Sequence, residues 1–292
     1  PRLYQRLKGV AQDSATLVVD GGDALGSDPL SRWDGGKLAW ELMRESGYAA
    51  VVAGNHEFDY GLDTLKVRVG SGPALLGANI GVADQGPPLA PYLLVERGGL
   101  RLALIGLTAP GVQRIINTRR NHGLQIADPK AALRQALDSL KGRADLTIAL
   151  VHMDEEDAVQ LAAQFPEVPL FIAGGFKQPA QKGGGTCQRR LANGTSLFTT
   201  PGPGFLGRIE VSWARQADGV ALLACRAELI KLDSTVAEDP LVAVRVVSQA
   251  AQFALARSEV IGWASEQITD TPQLVADLIR AHAGSEVGVV NL

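Results

Sequence analysis

The stretch Gly54-Asn55-His56-Glu57-Phe58-Asp59-Tyr60-Gly61 directly follows an apolar run, Ala49-Ala50-Val51-Val52-Ala53. A short apolar run that ends at a glycine predicts a buried strand. Because α/β proteins place their chemistry at the carboxyl ends of their strands, we expect the amide, imidazole and carboxylate groups of this stretch to lie at a strand tip.

A similar unit lies thirty residues earlier, where Leu17-Val18-Val19 precedes Asp20-Gly21-Gly22-Asp23. The small neighbours Gly22 and Ala24 allow the backbone to turn sharply and expose the Asp23 carboxylate. A carboxylate in such a place can bridge two divalent cations that clamp a phosphoryl group. The alternative is an aspartate that serves only a glycine-rich turn.

The residues Asn55, His56 and Asp59 offer a complementary set of groups. The asparagine supplies a neutral oxygen ligand, and the histidine can protonate a leaving oxygen near neutral pH. Asp59 follows three residues later and can hold the imidazole ring. A polar loop in which His56 only satisfies buried carbonyl groups is the alternative, and the full eight-residue string favours the functional interpretation.

A further histidine, His152, ends the apolar run Thr147-Ile148-Ala149-Leu150-Val151. At a strand tip its imidazole can donate a nitrogen to a metal ion. A lone histidine at a strand end is more often packed or solvated, so both interpretations stay open.

Apolar runs and amphipathic stretches alternate along the chain, which predicts an α/β fold with a mainly parallel or mixed sheet. We predict strands at 17–19, 50–53, 75–76, 102–107, 146–151 and 170–173, and helices at 36–46, 129–140 and 155–163. Beyond residue 180 we predict a second, antiparallel sheet from strands at 196–200, 207–213 and 220–232, the last with a break. A helix at 241–256 follows, and then a new unit with a helix at 273–282 and a strand at 287–290.

Composition narrows the function classes. The 292 residues are 46% hydrophobic and 20% charged, with a formal net charge of −3, so nothing in the charge favours nucleic acid or an anionic membrane as a partner. No apolar run approaches the ~18 residues of a membrane span. The two cysteines, Cys187 and Cys225, leave a disulfide and two buried thiols equally open, and without a Cys/His cluster we expect no structural zinc site.

The order of these motifs resembles the calcineurin-like metallophosphoesterases, and most closely the 5′-nucleotidase family. The residues 54–61 match that family's Gly-Asn-His-Glu motif and the Phe-Asp-Tyr-Gly that follows it. Similarity continues through residues 17–23, 102–110, 148–152, 207–209 and 229–240, and residues 258–291 resemble the opening of the family's C-terminal domain.

The resemblance implies a four-layer α-β-β-α sandwich of two mixed sheets over residues 1–240. A linker helix at 241–257 and the truncated beginning of a 5′-nucleotidase C-terminal-like domain at 258–292 would follow. It also implies hydrolysis of nucleotide phosphate esters, a small-molecule substrate, divalent Mn, Zn or Mg ions, and a periplasmic or secreted location. No signal peptide is recognisable, and a start at Pro1 suggests a processed or trimmed product.

Carried over by position, the family's roles fall on five residues. Asp23 would bridge two metal ions, and Asn55 and His152 would bind the second of them. His56 and Asp59 would form the catalytic dyad.

Two departures from the family pattern stand out. The family begins with a strand ending in Asp-x-His, whereas residues 1–8 resemble the helix after that strand, so we expect both of those ligands to be absent. The strand at 170–175 resembles the one before a Gly-His-x-His motif, yet Phe176 and Gln178 occupy the two ligand positions. Phenylalanine has no lone pair, glutamine is a weak neutral donor, and Lys177 adds a positive charge that repels cations.

A two-metal site needs about three or four protein donors per ion. With Asp23, Asn55 and His152 retained and Gln178 as a weak fourth donor, we predict no stable dinuclear centre, and a chain that binds no metal at all stays open. Three hypotheses remain: a two-metal nucleotidase, a non-catalytic descendant that serves as a binding or scaffold domain, and a hydrolase with altered metal use, such as a single-ion enzyme.

Overall fold

The computed structural model describes residues 1–26, 28–70, 72–83, 89–175, 188–199, 202, 204–217 and 219–258. Within them the strands are β1 (Val18–Asp20), β2 (Tyr48–Val52), β3 (Ala74–Leu76), β4 (Ile80–Val82), β5 (Tyr92–Arg97), β6 (Leu100–Thr108), β7 (Leu124–Ile126), β8 (Leu146–His152), β9 (Leu170–Gly174), β10 (Gln188–Arg190), β11 (Ser196–Thr199), β12 (Phe205–Gln216) and β13 (Gly219–Lys231).

The helices are α1 (Arg2–Leu7), α2 (Pro29–Asp34), α3 (Lys37–Glu45), α4 (Leu62–Val69), α5 (Pro129–Leu140), α6 (Glu155–Ala163) and α7 (Pro240–Arg257), with 3-10 turns at Val10–Gln12, His56–Phe58 and Pro110–Arg114. The chain divides into two compact units, Pro1–Gln249 and Ala250–Leu292. The first unit carries the site considered below, and the second is described only over residues 250–258.

The main sheet has six strands in the order β10-β11-β9-β8-β6-β5. Its inner strands β11, β9, β8 and β6 run parallel, and the edge strands β10 and β5 pair antiparallel with their neighbours. A second sheet, β1-β2-β3, is parallel over its described strands. The carboxyl ends of β1, β2 and β8 carry the residues singled out from the sequence.

Alternation along β2 shows how the two sheets pack. Ala50 and Val52 lie in one apolar cluster with Leu104 and Leu150 of the main sheet, so this cluster fills the space between the sheets. Val51 points the other way, into a cluster that includes residues of α3 and α4. A strand with apolar residues on both faces must be buried on both sides.

The main sheet is covered in the same way on its outer face. Ile105, Ala149 and Phe171 pack with Leu133 of α5 and Leu161 of α6. Helices therefore flank both sheets. This arrangement confirms the predicted four-layer α-β-β-α sandwich.

Glycines lie at points of close contact between the two sheets. A Cβ atom at Gly106 would collide with the side chain of Leu76 and lie 2.7 Å from its carbonyl carbon, and one at Gly174 would collide with the carbonyl group of Gly21. The hydroxyl of Thr108 donates a 2.6 Å hydrogen bond to the carbonyl of Ala53 and ties β6 to the end of β2. The tips of the two sheets are thus held together.

One detail of the prediction was wrong, and another was confirmed in part. Strand β11 was expected in the antiparallel sheet, but it pairs in parallel with β9 in the main sheet, where all four of its residues are buried as in a central strand. Strand β13 was expected to carry a break; it spans Gly219–Lys231 as one strand, and its pairing with β12 is irregular at Leu223, the extra residue between Leu222 opposite Trp213 and Ala224 opposite Ser212.

The expectations for residues 260–290, for Phe176 and Gln178, and for any Cys187–Cys225 disulfide fall outside the described residues. The predicted boundaries at 240 and 257 stay predictions. None of the described helices combines the length and the apolar character that a membrane span requires.

We expect Gly106→Ala to lower the free energy of unfolding by about 1–3 kcal/mol, because the added methyl group must displace the backbone of Leu76. Urea denaturation measures this change. The control is Gly81→Ala in β4, where an added Cβ meets nothing within 4 Å. Equal effects of the two substitutions would contradict close sheet packing at Gly106.

Candidate active site

The pair formed by the buried His152 and the partly exposed Asp23 joins the tips of the two sheets. Only 1% of His152 is exposed, and its Nε2 lies 3.4 Å from Oδ2 of Asp23. Its Nδ1 lies 2.9 Å from the carbonyl oxygen of Gly21. Because a carbonyl oxygen can only accept, Nδ1 must carry a proton, and Nε2 is the nitrogen that faces Asp23.

Two glycines leave room for this pair. A Cβ atom at Gly22 would lie 2.5 Å from Nδ1 of His152, and one at Gly54 would collide with Oδ1 of Asp23 and lie 2.8 Å from Nε2 of His152. Gly22 also has a φ angle of +94°, in the region that L side chains rarely adopt. The glycines of both motifs therefore keep the space around the carboxylate and the imidazole clear.

Asp23 itself has an unusual backbone. Its φ angle is +61°, and among the described residues it is alone with the glycines in having a positive φ. The left-handed conformation costs about 1–2 kcal/mol for a residue with a side chain. Its Oδ1 accepts a 3.0 Å hydrogen bond from the backbone N–H of His56, so the second motif helps to hold the first.

A fully buried carboxylate, Glu57, lies beneath both loops. It accepts hydrogen bonds from the backbone N–H groups of Gly54 (2.6 Å), Asp23 (3.0 Å), Ala24 (2.7 Å) and Leu25 (3.2 Å). Sequence reasoning placed its carboxylate at the strand tip but assigned it no role. The available signal was a glutamate three residues after a strand-ending glycine, inside a stretch predicted to be buried.

The dyad predicted from the sequence forms at the surface of the site. His56 begins a 3-10 turn, and residues three apart lie on the same side of such a turn, so its Nδ1 reaches Oδ2 of Asp59 at 2.7 Å. The side chains are 28% and 33% exposed. The Nε2 atom of His56 is therefore left for a group outside the dyad.

Electrostatics at the strand tips are dominated by carboxylates. Burial lowers the pKa of His152, but the Asp23 carboxylate and the Gly21 carbonyl outweigh it, and the pKa shifts upward. Burial raises the pKa of Asp23, but its bond to His152 and the other contacts prevail, and that pKa falls. Desolvation, with the charge of Glu57 as the next cause, raises the pKa of Asp20 to about 7.

The donors at this edge fit part of a metal site. Asn55 is 8% exposed, and within the described part of the chain its buried Oδ1 accepts no hydrogen bond. A buried amide oxygen of this kind suits a cation, as do the Asp23 carboxylate and Nε2 of His152. The described residues contain no cluster of three or more His, Cys, Asp or Glu side chains with metal-binding spacing. The donors available for a cation are therefore one carboxylate, one imidazole and one neutral oxygen.

Known proteins resemble this chain in sequence and in fold. No protein-family model matches the chain. A 5′-nucleotidase from Vibrio cholerae is 29% identical over 214 residues, which are 64% of this chain and 39% of that protein. A 5′-nucleotidase precursor from Thermus thermophilus superposes with a TM-score of 0.74 at 21% identity, covering 97% of this chain and 61% of that one. The calcineurin-like phosphoesterase YfkN from Bacillus subtilis superposes at 0.70 and 20% identity, covering 88% and 90%.

The fold is that of the calcineurin-like metallophosphoesterases. The chain is similar to 5′-nucleotidases and to Protein UshA from Yersinia enterocolitica, which is 30% identical over 59% of this chain and 34% of that protein. It spans between 26% and 39% of the length of the three Vibrio 5′-nucleotidases that it matches.

We expect Asp20→Asn to stabilise the metal-free protein by about 1–4 kcal/mol at pH 8 and to have little effect at pH 4. The folded protein holds the Asp20 proton up to a pKa of about 7, whereas the unfolded chain releases it near 3.8, so wild-type stability falls as pH rises between these values. The amide stays neutral and can still accept from the N–H of Gly22.

Urea unfolding between pH 4 and pH 8, in the presence of a chelator, measures the difference. The exposed substitution Glu96→Gln on β5 serves as the control. Parallel stability profiles for wild type and Asp20→Asn would show that this carboxyl group carries no penalty.

Proposed function

We propose that the chain is a metal-dependent phosphoric ester hydrolase that acts on nucleotide phosphate esters and holds one divalent cation firmly. The observation that carries this proposal is the convergence of Asp23 and His152 at 3.4 Å. Asn55, whose side-chain oxygen is buried, directly precedes His56, and the backbone N–H of His56 donates to Asp23. Asp23, Asn55 and His152 would hold the cation. When bound, it would supply Lewis-acid polarisation of the phosphoryl group.

The chain's own residues would supply the proton transfer. His56 donates from Nδ1 to Asp59, so its Nε2 is the atom that would give a proton to the leaving ester oxygen. Asp59 fixes the orientation of the ring and stabilises its charged form. Both side chains are partly exposed, so a substrate can reach them.

The substrate class and location belong to the same proposal. The relatives named 5′-nucleotidase support a nucleotide as the ester and, with it, a periplasmic or secreted site of action. The candidate ions Mn, Zn and Mg come from the family resemblance, and the imidazole donor of His152 favours Zn or Mn over Mg, which prefers oxygen donors.

A second candidate is a non-catalytic descendant that keeps the fold as a binding or scaffold domain. It is favoured by Phe176, which stands where the family pattern has an imidazole, and by Gln178 in the next ligand position. A two-metal centre would lack a nitrogen donor there. The metal content of the purified chain separates the two candidates.

We expect Mn²⁺ to bind the purified chain at one ion per chain, with an affinity that rises with pH. Nε2 of His152 must lose its proton to bind a metal, and its pKa is raised above 6.5, so the gain continues above that pH. His152→Gln should weaken binding at least ~10–100-fold and flatten the pH dependence.

Isothermal titration calorimetry and Mn²⁺ electron paramagnetic resonance measure these values, and His122→Gln on an exposed loop is the matched control. Two firmly held ions per chain would contradict the single-cation proposal. A wild-type chain that binds none would support the non-catalytic descendant.

We expect His56→Ala to lower kcat for nucleotide hydrolysis with Mn²⁺ by ~10²–10⁴-fold, because the leaving oxygen loses its proton donor. Mn²⁺ affinity should stay unchanged, since His56 is not among the proposed ligands. Steady-state phosphate release measures the rate, with His122→Ala as the control. An unchanged kcat would remove His56 from the mechanism.

A further inference from the structure

We propose that Glu57 is the positioning residue of this site: its carboxylate holds the Asp23 loop against the Gly54 loop so that Asp23 faces His152. This inference rests on the proposed function for its consequence, metal binding, but not for its structural content. Glu57 would contact neither substrate nor metal and would act only through Asp23.

The contacts that carry the inference are four backbone hydrogen bonds to one side chain. Oε2 accepts from the N–H groups of Gly54 and Asp23, at 2.6 and 3.0 Å. Oε1 accepts from those of Ala24 and Leu25, at 2.7 and 3.2 Å. Each oxygen is therefore shared by two donors, and Oε2 joins the loops that follow β1 and β2.

The loop that Glu57 holds needs such support. Asp23 has a φ angle of +61°, which a non-glycine residue keeps only when its surroundings impose it. Three successive N–H groups, from Asp23 to Leu25, converge on the carboxylate and form an anion-binding nest around it. The same turn directs the Asp23 side chain toward Nε2 of His152 and the N–H of His56.

An ionised carboxylate is the side chain that this nest requires. It can only accept hydrogen bonds, and both of its oxygens meet two donors. A glutamine of the same size would turn an NH₂ group toward one pair of N–H groups, so Glu57→Gln should break about half of the contacts while preserving the volume.

The experiment compares wild type, Glu57→Gln and a matched control, Asp239→Asn. Asp239 is also buried, at 2% exposure, and accepts from the N–H groups of Leu241 and Val242, both at 3.0 Å, away from the strand tips. Amide hydrogen exchange at Asp23, Ala24, Leu25 and Gly54 is measured in metal-free protein, and Mn²⁺ affinity is measured by calorimetry.

We expect Glu57→Gln to accelerate exchange at these four amides at least ~10-fold and to weaken Mn²⁺ binding ~10–100-fold, while Asp239→Asn changes neither. Unchanged exchange at the four amides overturns the inference, as does an equal loss of Mn²⁺ affinity in Asp239→Asn. A wild-type chain that binds no Mn²⁺ overturns the proposed function, and the exchange rates still decide the role of Glu57.

If Glu57→Gln does not fold, the double variant Asp23→Gly/Glu57→Gln decides. Glycine adopts a positive φ without support, so the double variant should recover a cooperative unfolding transition. A double variant that also fails to fold overturns the inference.

Discussion

The close approach of the two sheets at their carboxyl ends is the constraint on which the site depends. Asp23 follows a strand of the small sheet and His152 ends a strand of the large one, so a side-chain distance of 3.4 Å between them requires the sheet tips to touch. Glycines at 106 and 174 remove the side chains that would hold the sheets apart. The bond from Thr108 to the carbonyl of Ala53 then fixes this edge.

The close approach of the sheet tips brings three carboxyl groups near one another. Asp20, Asp23 and Glu57 interact electrostatically with one another, and His152 is the cationic partner that acts on all three. Desolvation is the main cause of the raised pKa of Asp20, and repulsion from Glu57 and Asp23 adds to it, so protonation relieves both penalties. The proposed divalent cation beside Asp23 would offset part of the same charge.

The sequence was informative where local chemistry decides structure. Helix α5 spans Pro129–Leu140 as predicted, because Asp128 caps its first turn and a proline begins it. The buried strands could also be predicted, because apolar runs bounded by glycine can be recognised in the sequence itself. The position of β11 in the main sheet could not be predicted, because its partner strand β9 is determined by tertiary packing rather than by the four residues of β11.

The site shows the same division. Strand-tip reasoning identified Asp23, Asn55, His56, Asp59 and His152, and the structure brings them to one edge, although their catalytic and metal-binding roles stay predictions. The role of Glu57 was not predicted because its hydrogen-bond partners are backbone N–H groups, whose positions cannot be read from the sequence. The positive φ of Asp23 was equally hidden, since aspartate tolerates that region without being diagnostic of it.

The His56–Asp59 dyad and the buried oxygen of Asn55 differ in how strongly they support a function. The dyad is supported by its own turn and by a 2.9 Å bond from Asn121 to the carbonyl of Phe58, so a protein that had lost catalysis would still keep it. The buried oxygen of Asn55 has no such local support in the described structure. A buried acceptor left unmet costs about 1–3 kcal/mol, which folding alone gives no reason to retain. This buried oxygen, on the loop that also donates a backbone N–H to Asp23, is therefore a stronger argument for the proposed cation than the geometry of the dyad is.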